Sequence, residues 1–222
     1  MTKLYKEFKE ITGQYVEEIP GQARFGYGLS DFEDFVEIED IIKHDGSYKG
    51  AVIRFYDYQR GKVSQPFDQK INIAYGKPIF IGDGFYILQV DFNEGLANIY
   101  KYYPEKILEK ITDYKIKDLS TYNLELIGTD LHLISQDSYS LEIYYPYRET
   151  LKLEANESVI LIEDGKVYIN ARIEEGWDDE MDRAGEAYSY YDELIIKDFD
   201  SNIVEKRIGN LHQRPDGTWW LA

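Results

Sequence analysis

Val159-Ile160-Leu161-Ile162-Glu163-Asp164-Gly165-Lys166-Val167-Tyr168-Ile169 is the stretch that decides how this chain folds. Two short runs of aliphatic and β-branched residues flank an Asp-Gly pair, and Asp-Gly tolerates the positive φ angles of a tight turn. The stretch therefore reads as a two-stranded hairpin. Residues 79–88 (IFIGDGFYIL) and 124–134 (LELIGTDLHLI) repeat the pattern. Each hairpin is followed by further strand-like sequence: Asn98 to Pro104, Leu141 to Pro146, and Leu194 to Asp198. Other Asp-Gly pairs at 45–46, 83–84 and 216–217 read as hairpin turns on the same argument.

The hairpins recur with a loose period. Their turns lie 46 and 35 residues apart, and Pro104 and Pro146 lie 42 apart. Repeats of roughly 40–50 residues with four strands each are the pattern of propeller blades. The chain resembles that architecture over units near 30–72, 78–116, 122–157 and 158–208. The expected fold is an all-β, small β-propeller of about four four-stranded blades, with a β-barrel or two-sheet sandwich as alternatives. Residues 1–24 are expected to form an N-terminal helix and lead-in, and 25–222 one all-β domain. Leu4, Phe8 and Ile11 fall on one helical face, which predicts a helix over 3–12 that stops at Gly13. The tail, with Trp219 and Trp220, is predicted to supply a strand that completes the first blade and closes the ring.

Composition excludes several functions. The 222 residues carry 42 acidic against 25 basic side chains, a formal net charge of −17. Such a surface repels phosphate backbones and anionic lipid, so neither nucleic acid nor membrane is an expected partner. The 17 Leu, 26 Ile, 8 Val and 10 Phe make about 27% of the chain, enough to build a core despite the charge. Charges at the start, MTKLYKEFKEITG, replace the apolar block of a signal peptide, so the expected location is cytoplasmic. With no cysteine there is no disulfide framework or thiolate chemistry.

Candidate chemistry is sparse. Residues 174–186 (EEGWDDEMDRAGE) read as a long acidic loop with one Trp, followed by Tyr188, Tyr190 and Tyr191. Its carboxylates lack the glycine and distal Glu of a calcium loop. Asp198 to Asn202 matches the start of such a loop and then departs at Ile203 and Gly209, so it reads as a turn. His44, His132 and His212 stand far apart, without zinc-ligand spacing. His132 alternates with leucines and is expected on a polar side. Residues 21–28 (GQARFGYG) have the glycine spacing of a phosphate loop but no Lys-Ser/Thr after it. No nucleophile elbow is present. No cofactor, metal or catalytic residue is expected.

The expected function is that of a non-catalytic acidic module that binds a protein partner, basic in character, in an inhibitor or immunity-type role. The expected partner-binding residues are Trp177, Asp178, Asp179, Asp182, Tyr188, Tyr190 and Tyr191. A carbohydrate-active or metal-assisted hydrolase and a lectin-like carbohydrate-binding domain are the alternatives.

Overall fold

The structure, a computed structural model, describes residues 4–178, 181 and 183–222. It is all-β, with one α-helix among the described residues. Every sheet is antiparallel, and none closes into a barrel among those residues. The first sheet holds β1 (Glu17–Glu18), β2 (Phe25–Leu29), β3 (Ile53–Asp57) and β4 (Lys62–Ser64) in sequential order. The second holds β5 (Ile73–Tyr75), β6 (Ile79–Ile81), β7 (Gly84–Asp91), β8 (Leu96–Tyr103) and β9 (Ile107–Lys115). Here β5 pairs with the Gln89–Asp91 end of β7 and β6 with the Gly84–Tyr86 end. The two act as one edge strand interrupted at Pro78, so this sheet too is four strands wide.

The third sheet runs β10 (Glu125–Ile127), β11 (His132–Gln136), β12 (Ser140–Tyr145) and β13 (Glu149–Lys152). The fourth runs β14 (Glu157–Glu163), β15 (Lys166–Asp178), β16 (Arg183–Asp198) and β17 (Ile203–Ile208). A last hairpin pairs β18 (Leu211–Gln213) with β19 (Trp219–Leu221). The chain divides into two compact units, 1–126 with 214–218 and 127–213 with 219–222.

Three expectations need correction. Residues 4–16 form no helix; α1 spans Phe35–Asp45 instead. The leading segment is held from outside. The Phe8 ring packs on Tyr56 and Tyr58 at 5.2 and 5.5 Å, and Lys9 N–H donates to the Gly61 carbonyl at 2.8 Å. Leu4 and Ile11, the rest of the proposed apolar face, stay exposed. By contrast α1 has the end chemistry a helix needs. Asp34 N–H donates to the Glu37 carboxylate at 3.2 Å, and Lys43 and His44 lie in the last turn. Gly46, at φ +81°, caps the C-terminus by donating to Ile42 O. Asp45-Gly46 is therefore a helix stop rather than a hairpin turn. Second, the first sheet takes its strands from 17–64, so the expected unit 30–72 is displaced by the helix. Third, among the described residues the C-terminal strand joins no four-stranded sheet: β19 pairs with β18, and the intervening turn bonds Gly21 N–H through Pro215 O.

Within the first unit, aromatic rings from two sheets form the core. Phe85 meets Phe25 at 5.4 Å and Phe55 at 5.0 Å, and Phe55 meets Tyr102 at 4.9 Å. Such pairs add about 0.5–1.5 kcal/mol each beyond the area they bury. The second unit has an aliphatic core instead, in which Ile134, Leu141, Ile143, Val167 and Ile169 are fully enclosed.

Each unit also holds an ion pair on a buried carboxylate. In the first, Arg24 lies 2.5 Å from the Asp57 carboxylate, which also accepts from the Gln59 and Arg60 backbone N–H groups. Burial pushes the Asp57 carboxyl up, but Arg24 and these N–H groups outweigh it and hold it below the usual carboxylate range. A carboxyl depressed in the folded state stabilises above the unfolded value near 3.9, and that contribution fades as pH falls through the folded value. Asp57→Asn is therefore less stable than the native chain at pH 7, and the gap narrows below about pH 4 in urea denaturation. A gap that stays constant down to pH 2 contradicts the assignment.

In the second unit, Lys197 Nζ lies 2.5 Å from Glu157, with both side chains under a tenth exposed. Glu157→Gln leaves the ammonium buried without its counter-charge and costs about 3–5 kcal/mol in chemical denaturation, whereas Glu157→Leu with Lys197→Met recovers most of that loss.

Candidate functional site

The strands β15 and β16 outrun their sheet. β14 accompanies β15 only as far as Ala171, and β17 accompanies β16 only from Glu193. Beyond those points Arg172–Asp178 pairs with Arg183–Asp192 as a two-stranded ribbon, its base tied by Arg172 N–H donating to Asn156 O at 3.2 Å and Gly209 N–H donating to Asp192 O at 2.8 Å. At roughly 3.3 Å per residue it extends about 20 Å past its neighbours. The expected loop at 174–186 is thus mostly strand. The alternation of Ile173, Trp177, Tyr188 and Tyr190 with polar residues, on segments rich in aromatic side chains, favours pairing over a coil.

A bulge sets which face the aromatics share. The register shifts between Glu175 and Trp177, and Gly176 sits at φ +73°. A Cβ there would stand 2.7 Å from the Ala187 carbonyl, so only glycine fits. The shift places the Trp177 ring against Tyr188, 5.8 Å centre to centre, and Tyr188 is followed by Tyr190 at 6.4 Å. Arg172 extends the row with its guanidinium 4.1 Å from the Tyr190 ring centre. Glu174 ties the row together: its Oε1 accepts from the Tyr188 hydroxyl at 2.9 Å and from Arg172 Nε at 3.2 Å. Trp177 remains 43% exposed and Tyr190 59%, so the row is fixed from behind and open in front.

The expected binding residues separate accordingly. Trp177, Tyr188 and Tyr190 come together. Tyr191 does not, because it pairs with Ile173, whose side chain packs on the core, and so faces the other way. Asp179 and Asp182 lie outside the described residues, as does the Asp178 side chain. Arg172 and Glu174 were missed. The visible signal was their i, i+2 spacing, which puts both charges on one face of a strand.

A second concave place surrounds His132 in the same unit, a cavity of about 400 Å³. Contrary to expectation His132 is buried, 4% exposed. Its Nδ1 lies 2.9 Å from the Asp130 carbonyl, which can only accept, so Nδ1 carries the proton. Nε2 then accepts from the Tyr147 hydroxyl at 3.4 Å. Burial lowers the imidazole pKa against the opposing pull of Asp130, so the ring is neutral at pH 7. With Tyr147 edge-on at 5.9 Å and Phe199 packed on Tyr147, the histidine serves packing. Among the described residues no group of three or more His, Asp or Glu side chains converges as a metal site.

Comparison with known protein families finds no matching family, and comparison with curated proteins finds no similar one. The site must be interpreted from its own geometry. Among the described residues, no helix is long and apolar enough to cross a membrane.

Gly176→Ala tests the bulge. The substitution should break the Trp177–Tyr188 ring contact, seen as loss of the cross-strand proton NOE. Because the ribbon lies beyond the packed sheet, the melting midpoint should move by less than about 2 °C.

Proposed function

We propose that this protein is a non-catalytic binding module that grips another protein with the ribbon of β15 and β16. The observation that carries the reading is the exposed row of Trp177, Tyr188 and Tyr190, fixed in place by Glu174 and Arg172. Trp, Tyr and Arg are the side chains that dominate protein interfaces, since rigid rings bury much area for little lost conformational entropy. A row already ordered in the free protein has less freedom left to lose on binding.

Charge supplies the partner's character. Residues 172–192 hold eight carboxylates against two arginines, on a chain of net charge −17. A basic surface is drawn to such an arm, with an association rate that falls as salt rises. A cationic effector held by an inhibitor or immunity-type protein fits this field. The same reading takes the successive four-stranded sheets as blades of a small propeller, supported by their sequential antiparallel order.

The test is capture of partner from lysate of the source organism at low salt, with the bound protein identified by mass. Its affinity is then compared between the native chain and Trp177→Ala with Tyr190→Ala. The pair should lose about 2 kcal/mol or more, roughly thirtyfold. Capture should also weaken steeply from about 50 to 500 mM salt. Equal affinity in the variant removes the ribbon from the interface.

A further inference from the structure

The first unit contains a cavity of about 400 Å³ over one face of its second sheet, with no part in the reading above. Its floor is a row of polar side chains on three adjacent strands: Tyr75 on β5 lies opposite Gln89 on β7, and Gln89 opposite Asn98 on β8. All three are under a tenth exposed. They are joined in one direction, Asn98 Nδ2 donating to Gln89 Oε1 at 3.2 Å and Gln89 Nε2 donating to the Tyr75 hydroxyl at 3.4 Å. The row is incomplete at its far end. Asn98 Oδ1 is buried without any hydrogen-bond partner. Burial pushes the Tyr75 phenol up to about 12, against the opposing bond from Gln89, so it keeps its proton.

Aromatic rings wall the same space. Phe67 stacks on Tyr75 at 5.4 Å and meets Tyr100 edge-on at 4.9 Å. The charged lining consists of Asp68, Asp91 and Glu94 with Lys70 and Lys110. Asp91 is occupied with the backbone N–H groups of Asn93 and Glu94, and Lys110 is paired with Asp113 at 2.6 Å. The cavity is thus lined by a phenol that keeps its proton, by ring faces and by the Asn98 amide with its unpartnered oxygen, under a rim of three carboxylates and two lysines.

We propose that this cavity binds a neutral polyhydroxylated ligand, a mono- or disaccharide, whose hydroxyl groups complete the Asn98–Gln89–Tyr75 row and whose ring C–H face lies on Phe67 or Tyr100. A sugar hydroxyl both donates and accepts, so it can give a proton to Asn98 Oδ1 while a neighbouring hydroxyl takes one from Tyr75. A carboxylate offers no donor to the orphaned carbonyl oxygen, and an ammonium offers no acceptor to the phenolic donor. The volume suits the class, since small-molecule sites run from roughly 300 to 1,000 Å³. The site is independent of the protein-binding ribbon, and either assignment can fail alone.

The experiment titrates the full-length, ¹⁵N-labelled chain with a panel of neutral mono- and disaccharides up to about 10 mM, tenfold above a Kd of about 1 mM. The side-chain amide signals of Asn98 and Gln89 are followed, with inorganic phosphate and methylammonium as charged controls. At least one saccharide should shift both signals saturably. Asn98→Leu and Phe67→Ala should each weaken that binding at least tenfold while melting stays cooperative. Phe67 lies outside the strands and keeps the test decisive if the Asn98 variant does not fold. The proposal is overturned if no saccharide moves the two signals, if only a charged control does, or if the Phe67 variant binds as tightly as the native chain.

Discussion

A four-stranded antiparallel sheet whose two faces are both apolar cannot stand in water by itself, and that constraint organises this molecule. The inner strand β7 shows it most directly, since Phe85, Ile87, Leu88 and Val90 are fully buried on alternate faces. Cover must come from a neighbouring sheet. In one unit it comes through the Phe25, Phe55, Phe85 and Tyr102 rings, in the other through branched aliphatics. Amide side chains then meet backbone groups that no strand reaches. Gln136 donates to Glu157 O and accepts from Val159 N–H, and Asn170 does the same for both polar groups of Leu211. Each imitates a peptide unit and stitches one element to the next without a continuous ladder.

Among the described residues, the ribbon is the one long element that escapes this arrangement. Past Arg172, which still bonds Asn156, and Asp192, whose carbonyl accepts from Gly209 N–H, neither edge has a strand partner among the described residues, a geometry that invites pairing with other chains. Its charge answers that hazard: carboxylates outnumber basic groups four to one, so copies repel one another, and the same field would attract the cationic partner proposed above. In that proposal one surface field both protects the arm and selects what it meets. Local order comes from cross-strand contacts rather than a core, with Glu174 holding Tyr188 and Arg172 at once.

Hairpins were legible because their chemistry is local. Asp164 and Gly165 both adopt positive φ, as their identities imply, and Asp198 caps its own turn by accepting from Asn202 N–H at 2.8 Å. The boundaries of the later sheets followed from those turns. Where the reading failed, a distant partner decided. Leu4, Phe8 and Ile11 fit a helix, yet Phe8 is claimed by Tyr56 and Tyr58, about fifty residues on. Asp45-Gly46 carries the same two letters as a hairpin turn, and only Asp34 and Glu37 upstream reveal it as a helix stop. The site was half legible. Aromatic enrichment pointed to Trp177, Tyr188 and Tyr190, but a bulge at Gly176 decides which share a face, and Tyr191 falls on the other side. The Tyr75–Gln89–Asn98 row could not be seen at all, because its members meet only across strand registers.

The two candidate sites draw on opposite physics, and net charge speaks to only one of them. The ribbon's charges are solvated and act over about a Debye length, so salt governs how strongly they attract. In the cavity the deciding groups are uncharged and shielded from water, so ionic strength has little hold on them. There the free energy depends on whether an enclosed oxygen finds a donor, a matter of distances of about 3 Å rather than of field. A chain this acidic can therefore recognise a neutral ligand without contradiction, because the row of Tyr75, Gln89 and Asn98 is both buried and uncharged.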